Sequence, residues 1–202
     1  VIKPFWSPFI DLLKTKRWWV VTMQLLVGAG LAGIALTIPM PDFFRITLAV
    51  FWLVAFSSAT HDIAADGFYM LALNVKDQAL YVGIRSTFYR IATIAGQGLL
   101  IMLAGGLEIW SGNIKYAWSI TFFILAGLFL AFSLYHKYIL PAPGSDKSVV
   151  GQNNASSIME GFIETFASFF RKKQAKIAIL FMLFYRFPEA QLVKLINPFL
   201  LR

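Results

Sequence analysis

WWVVTMQLLVGAGLAGIALTI, residues Trp18–Ile38, contains no Asp, Glu, Lys or Arg. At about 1.5 Å of rise per residue, a helix of that length covers the roughly 30 Å hydrocarbon core of a bilayer. This run is span A. Working outward, Pro39, Pro41 and Asp42 end it, and Phe43–Leu73 forms span B, whose interior ionisable residues are His61, Asp62 and Asp66. Asn74–Leu80 reads as a polar turn. Span C follows from about Tyr81 to Leu107, with Arg85 and Arg90 in its first half, and span D from Tyr116 to Tyr135 is free of charge. Span E, near Ile177–Leu201, carries Arg186, Pro188, Glu189 and Lys194. The fold class expected is an all-α polytopic membrane helix bundle with about five full spans plus the end of another.

Composition agrees with lipid as the solvent. Of 202 residues 58% are hydrophobic and 14% charged, against about a quarter charged in an ordinary soluble domain. The absence of Cys excludes a disulfide framework, a thiolate metal site and a Cys nucleophile. The chain opens at Val1 within an interrupted apolar stretch and stops at Leu200-Leu201-Arg202, so it is expected to be an internal piece of a longer protein, whose remaining helices are its partners.

The net charge of +8 belongs to topology. Lys14, Lys16, Arg17, Lys76, Lys137, Lys147, Arg171, Lys172, Lys173 and Lys176 fall in alternate loops, whereas Arg45, Lys115 and Arg202 fall in the others. The first set is expected on the cytoplasmic side. No aromatic-basic interleaving suggests nucleic acid as a partner. Ile158, Met159, Phe162, Ile163, Phe166, Phe169 and Phe170 recur at helical spacing just before the basic cluster Arg171–Lys173, which predicts an amphipathic helix on the lipid surface.

Three groups of residues bear on chemistry. Val27-Gly28-Ala29-Gly30-Leu31-Ala32-Gly33 matches the dinucleotide glycine pattern but lies inside a lipid-spanning run, so it reads as a small-residue seam for close helix approach. In span B, Ser58, Asp62, Asp66 and Tyr69 share one helix face. Carboxylates at such depth face a bundle interior or a wet cavity and need a cation or a bound proton. Span C offers Arg90 on a face with Ser86, Thr93 and Gln97, at a depth matching Asp62. His61 points elsewhere, to a helix–helix hydrogen bond or a proton relay. In span E, breaks at Pro188 and Pro198 beside Arg186, Glu189 and Lys194 would line a solute pathway.

These residues resemble a known family. Trp6-Ser7-Pro8-Phe9-Ile10-Asp11 with Lys14, Lys16, Arg17 and Trp18 is similar to the loop after the second helix of major facilitator transporters, where an Asp and a basic cluster guard the cytoplasmic mouth. Ser58-Ala59-Thr60-His61-Asp62-Ile63-Ala64-Ala65-Asp66-Gly67 resembles the fourth-helix signature of the branch holding the AmpG muropeptide permeases and the acetyl-CoA transporters. Tyr89-Arg90 resembles its fifth helix. Phe184-Tyr185-Arg186, Pro188-Glu189 and Pro198-Phe199-Leu200 resemble its seventh. His61 stands where Gln is usual, and Phe68-Tyr69-Met70 where a Lys tends to follow the second Asp.

The resemblance implies a twelve-helix transporter of two six-helix halves. Residues 1–140 would supply the end of helix two through helix six, 141–175 the cytoplasmic connector with its surface helix, and 176–202 the first helix of the second half. The function expected is secondary transport in a bacterial inner membrane. Alternating access, coupled to proton symport, would import an amphipathic anionic solute such as a muropeptide, without a cofactor. Asp62, Asp66 and Arg90 are the candidates for proton coupling or ion pairing. His61, Tyr69, Gln97, Arg186, Glu189 and Lys194 are those for substrate contact or gating, and Asp11, Lys14, Lys16 and Arg17 for the cytoplasmic gate. The rivals are an intramembrane enzyme holding Mg²⁺ on a diphosphate through Asp62 and Asp66, and a transport-inactive sensor or scaffold.

Overall fold

Thr15 starts the first long helix, because its hydroxyl accepts the Trp18 N–H at 3.2 Å and so satisfies one of the free donors of the opening turn. In the computed structural model, which describes residues 6–146 and 155–200, this helix is α2, Lys16–Thr37, preceded by the short α1, Ser7–Leu13. Of the side chains in those stretches, numbers 8, 11, 155–158, 165, 186, 189, 190, 192–194 and 196–200 lie outside the described set. The Pro39–Asp42 turn separates α2 from α3, Phe43–Ala72, a helix of 30 residues. Asn74 caps α4, Val75–Ile94, by accepting the Asp77 N–H at 2.9 Å. A π-helical turn at Ala95–Leu99 leads into α5, Leu100–Ser111, which closes at Gly112 with a left-handed φ of 65°. Asn113 caps α6, Ile114–Ile139, through the Tyr116 N–H at 3.2 Å. Among the described residues there is no strand.

Four helical stretches are long and apolar enough to cross a membrane: Lys16–Thr37, Phe43–Ala72, Val75–Ser111 and Ile114–Ile139. They coincide with spans A to D. The all-α membrane bundle is the architecture observed. Span E is α8, Ala175–Leu200, whose apolar described part is Ala175–Tyr185. Its helix runs on through Pro188 and Pro198, in place of the breaks expected there. A proline inside a helix removes one hydrogen bond and bends the ladder without having to end it when the flanking turns persist.

The chain divides into two compact units, Val1–Gly151 and Gln152–Arg202, and this boundary lies inside the 141–175 stretch expected to be the connector. In the second unit, α7 covers Ala155–Arg171, the segment expected as a surface helix, and α8 follows. In the first unit α2 is the centre: it packs against α3 on one side and α6 on the other, and it is the most deeply buried of the four spans. Ile34 and Ala35 are almost fully enclosed, and Val27, Leu31 and Ile34 meet Ala126 of α6. Toward the other end Val20 packs with Ile10, Ala64 and Phe68. Lipid tails are as apolar as Leu, so close fit rather than escape from water holds such contacts.

The glycine run of α2 provides that fit. A Cβ on Gly28 would stand 3.1 Å from Leu130 of α6, and one on Gly30 would run into the Cγ2 methyl of Val54 on α3. The two glycines thus seat α2 against both neighbours, in keeping with the seam read from the sequence. The outward faces carry the large apolar side chains that lipid covers, such as Trp52, 73% exposed.

Candidate functional site

The up-and-down course of the spans gathers the N-terminal ends of α2 and α4 and the C-terminal ends of α3 and α6 at one end of the first unit. Near that end α3 and α4 are clasped through their turn. The Tyr69 hydroxyl donates to the Gln78 carbonyl at 2.5 Å, and the Gln78 side-chain amide donates to the carbonyls of Met70 at 3.1 Å and Leu73 at 2.9 Å. This clasp sets the register of the hairpin.

With that register, Arg85 of α4 reaches Asp66 of α3 in an ion pair, and its guanidinium lies over the Tyr69 ring, 5.7 Å from the ring centre. The pair foreseen from the sequence, Asp62 with Arg90, is not among the described ion pairs, and both residues are exposed. Five residues past Arg85, Arg90 points about 140° further round the helix. Arg85 has both the depth of Asp66 and the azimuth that faces α3. It could have been found from the sequence by testing each span-C arginine for rotation as well as depth.

Gln97 sits in the π-turn, where the Leu100 N–H reaches back five residues to the Ala95 carbonyl. One extra residue in that turn rotates the rest of the helix around its axis. Gln97 therefore does not continue the Ser86, Arg90, Thr93 face as a regular helix would require, and it is exposed.

A cavity of about 430 Å³ opens beside the Asp66–Arg85 pair, with His61 and Tyr69 of α3, Gln24 of α2, Arg85 of α4 and His136 of α6 among its walls. His136 Nδ1 lies 2.8 Å from Gln24 Oε1, so this nitrogen donates to the amide oxygen. Nε2 of His61 is buried with no hydrogen-bond partner among the described residues. Ser133, one turn earlier on α6, donates to the Val21 carbonyl at 3.0 Å. Sequence reasoning passed over Gln24 and His136. The signal that could have found them was Gln24 itself, a polar side chain inside a charge-free span and only 7% exposed.

At the mouth of the same end, Arg17 donates through Nη2 to the Lys137 carbonyl at 2.5 Å. Both oxygens of Asp146 accept from the start of α2, Oδ1 from the Lys16 N–H at 2.7 Å and Oδ2 from the Arg17 N–H at 3.0 Å. The aliphatic stem of Lys16 crosses α3 at Gly67, where a Cβ would stand 2.5 Å from the lysine Cε. Lys14 is exposed. Among the described residues, Asp146 engages the backbone at the start of this basic loop. The side chains of Asp11, Arg186, Glu189 and Lys194 lie outside the described ones. Among the described residues no three His, Asp or Glu side chains gather as a metal site.

The chain is 26% identical to the Rickettsia conorii protein carrying the transporter name AmpG 4, over 98% of this chain and 48% of that protein. It is 28% identical to the Rickettsia felis protein of the same name, with the same coverage. It is 23% identical to the anhydromuropeptide permease of Escherichia coli K12, over 100% of this chain and 39% of the permease. The chain therefore spans less than half the length of these curated relatives. No family model matches it, and no solved structure matches it significantly. Along nearly its whole length, and as a bundle of helices long and apolar enough to cross a membrane, the chain is similar to AmpG-type transporters and the anhydromuropeptide permease.

Proposed function

We propose that the protein containing this chain is a secondary transporter that imports an amphipathic, anionic solute of the muropeptide kind by alternating access, driven by proton symport. The relatives named as transporters and permease support solute movement without chemical change. The observation that carries the coupled mechanism is the charged face of α3. Asp62 and Asp66 stand one turn apart on a lipid-spanning helix, and Asp66 is held by Arg85 of the next helix. A carboxylate in a low-dielectric site is stable as an ion with its counter-charge or as a neutral acid, so a proton arriving on Asp66 would release Arg85. Such a discrete switch is what coupling requires. The solute's anionic group would then find a freed guanidinium. Asp62, one turn deeper, is the second proton site.

The enzyme reading needs a second acidic cluster to hold Mg²⁺ opposite Asp62 and Asp66, and the other acids are scattered along the sequence. The test is uptake by the full-length protein in proteoliposomes with an imposed proton gradient. Asp66→Asn should abolish accumulation against a gradient while leaving downhill exchange of solute, because the amide keeps size and hydrogen bonding but cannot titrate. Uphill uptake equal to the unsubstituted protein's, at equal expression, would remove the coupling role.

A further inference from the structure

We infer that the cavity enclosed by α2, α3, α4 and α6 is a binding site for an oxyanion carried on an apolar body, the chemistry of an anionic phospholipid headgroup with its glycerol and first methylenes. At about 430 Å³ it falls in the range of roughly 300–1,000 Å³ that small-ligand sites occupy. Its polar wall offers hydrogen-bond donors. His61 presents a buried Nε2 without a partner among the described residues, and Arg85 has more N–H groups than Asp66 uses; His136, whose Nδ1–H donates to Gln24, stands beside them as wall. Asp62 and Asp66 are not among the lining residues. The rest of the wall, Phe68 and Leu140 included, is apolar. An oxyanion would fill the donor vacancy at His61, and the methylenes it carries would lie along the apolar wall.

The position in the bundle fits that occupant. The cavity lies at the end where the N-terminus of α2 and the C-terminus of α6 meet, the end of the unit that also carries Lys16, Arg17 and Lys137. Basic side chains at one end of a spanning bundle raise the local concentration of anionic headgroups there, by about 1 kcal/mol per charge near the surface. This site rests on the reading of the chain as membrane-spanning. It shares Arg85 with the transport proposal, and the measurements below separate the two.

The test is ligand binding to the full-length protein purified in a mild detergent, followed by thermal shift and by native mass spectrometry. The probes are dioctanoyl phosphatidylglycerol, dioctanoyl phosphatidylcholine and inorganic phosphate. The phosphatidylglycerol should bind roughly tenfold tighter than the zwitterionic lipid. His61→Phe, which keeps the ring volume and removes the vacant nitrogen, should erase that preference, and His61→Gln, which keeps a donor, should retain most of it. Inorganic phosphate stabilising the protein alone would assign the site to free oxyanions; phosphatidylglycerol acting alone would assign it to the lipid. Equal binding of the two lipids by the unsubstituted protein would overturn the site even if neither variant folds, as would an unchanged preference in folded His61→Phe. Solute uptake measured on the same samples separates the two readings: lost uptake with retained lipid preference sinks the transport proposal alone.

Discussion

Asp66 and Arg85 meet with 55% of each side chain still exposed in this chain, so Coulomb attraction between them is neither free of solvent nor fully screened. In a membrane such a pair is worth keeping mainly because each charge alone would be costly there. Arg85→Ala should therefore lower membrane expression and uptake severely, whereas Arg90→Ala should do so mildly. The neutral double variant Asp66→Asn with Arg85→Gln should recover expression but not uphill uptake. Immunoblots of membrane fractions beside initial uptake rates check all three, and a reversed ranking of the two arginines would refute the pairing. Steric residues make an equally local prediction. Gly30→Val drives two extra methyls at Val54 and should cost about 1–3 kcal/mol of stability, as overpacking does. Gly33→Ala meets Val50 at an ordinary 3.5 Å and should be near neutral. Detergent melting curves of the full-length protein distinguish them.

At the scale of the elements, the ends of α2 and α6 are joined by Asp146. Its carboxylate satisfies two of the donors that every helix N-terminus leaves open, and its charge complements the positive end of the α2 dipole. Asp146→Ala should cost about 0.5–2 kcal/mol, the usual worth of a cap, and Asp146→Asn less, since its oxygen still accepts one of the two N–H groups. Thermal unfolding of the two variants checks the order. Sequence showed this element boundary only in part. Pro141, Pro143 and Gly144 mark a loop after α6, but nothing local tells that Asp146 returns to a helix begun some 130 residues earlier. The π-turn in span C was equally hidden, because Gly96-Gln97-Gly98 is compatible with a regular helix and its glycines face open space.

For the whole molecule, alternation of spans and the one-sided distribution of Lys and Arg make a prediction of orientation. A reporter joined after Gly144 should be cytoplasmic, and one at Gly112 extracytoplasmic; alkaline phosphatase and fluorescent-protein fusions read the two sides, and the opposite result would invert the bundle. Spans A to D, their order and the seam Gly28–Gly30 were legible in the residues alone. Charge-free length and small-residue spacing are properties of a single helix and need no neighbour to be read. What only the tertiary structure decided is which side chains meet: Arg85 rather than Arg90 on Asp66, His136 on Gln24, and Asp146 on the start of α2. Helical periodicity along a chain sets the depth of a residue and the face it shares. The rotation of one helix against the next is set by packing between them, by the clasp of Tyr69 and Gln78 and the close approach at Gly30, and that rotation chooses the partners.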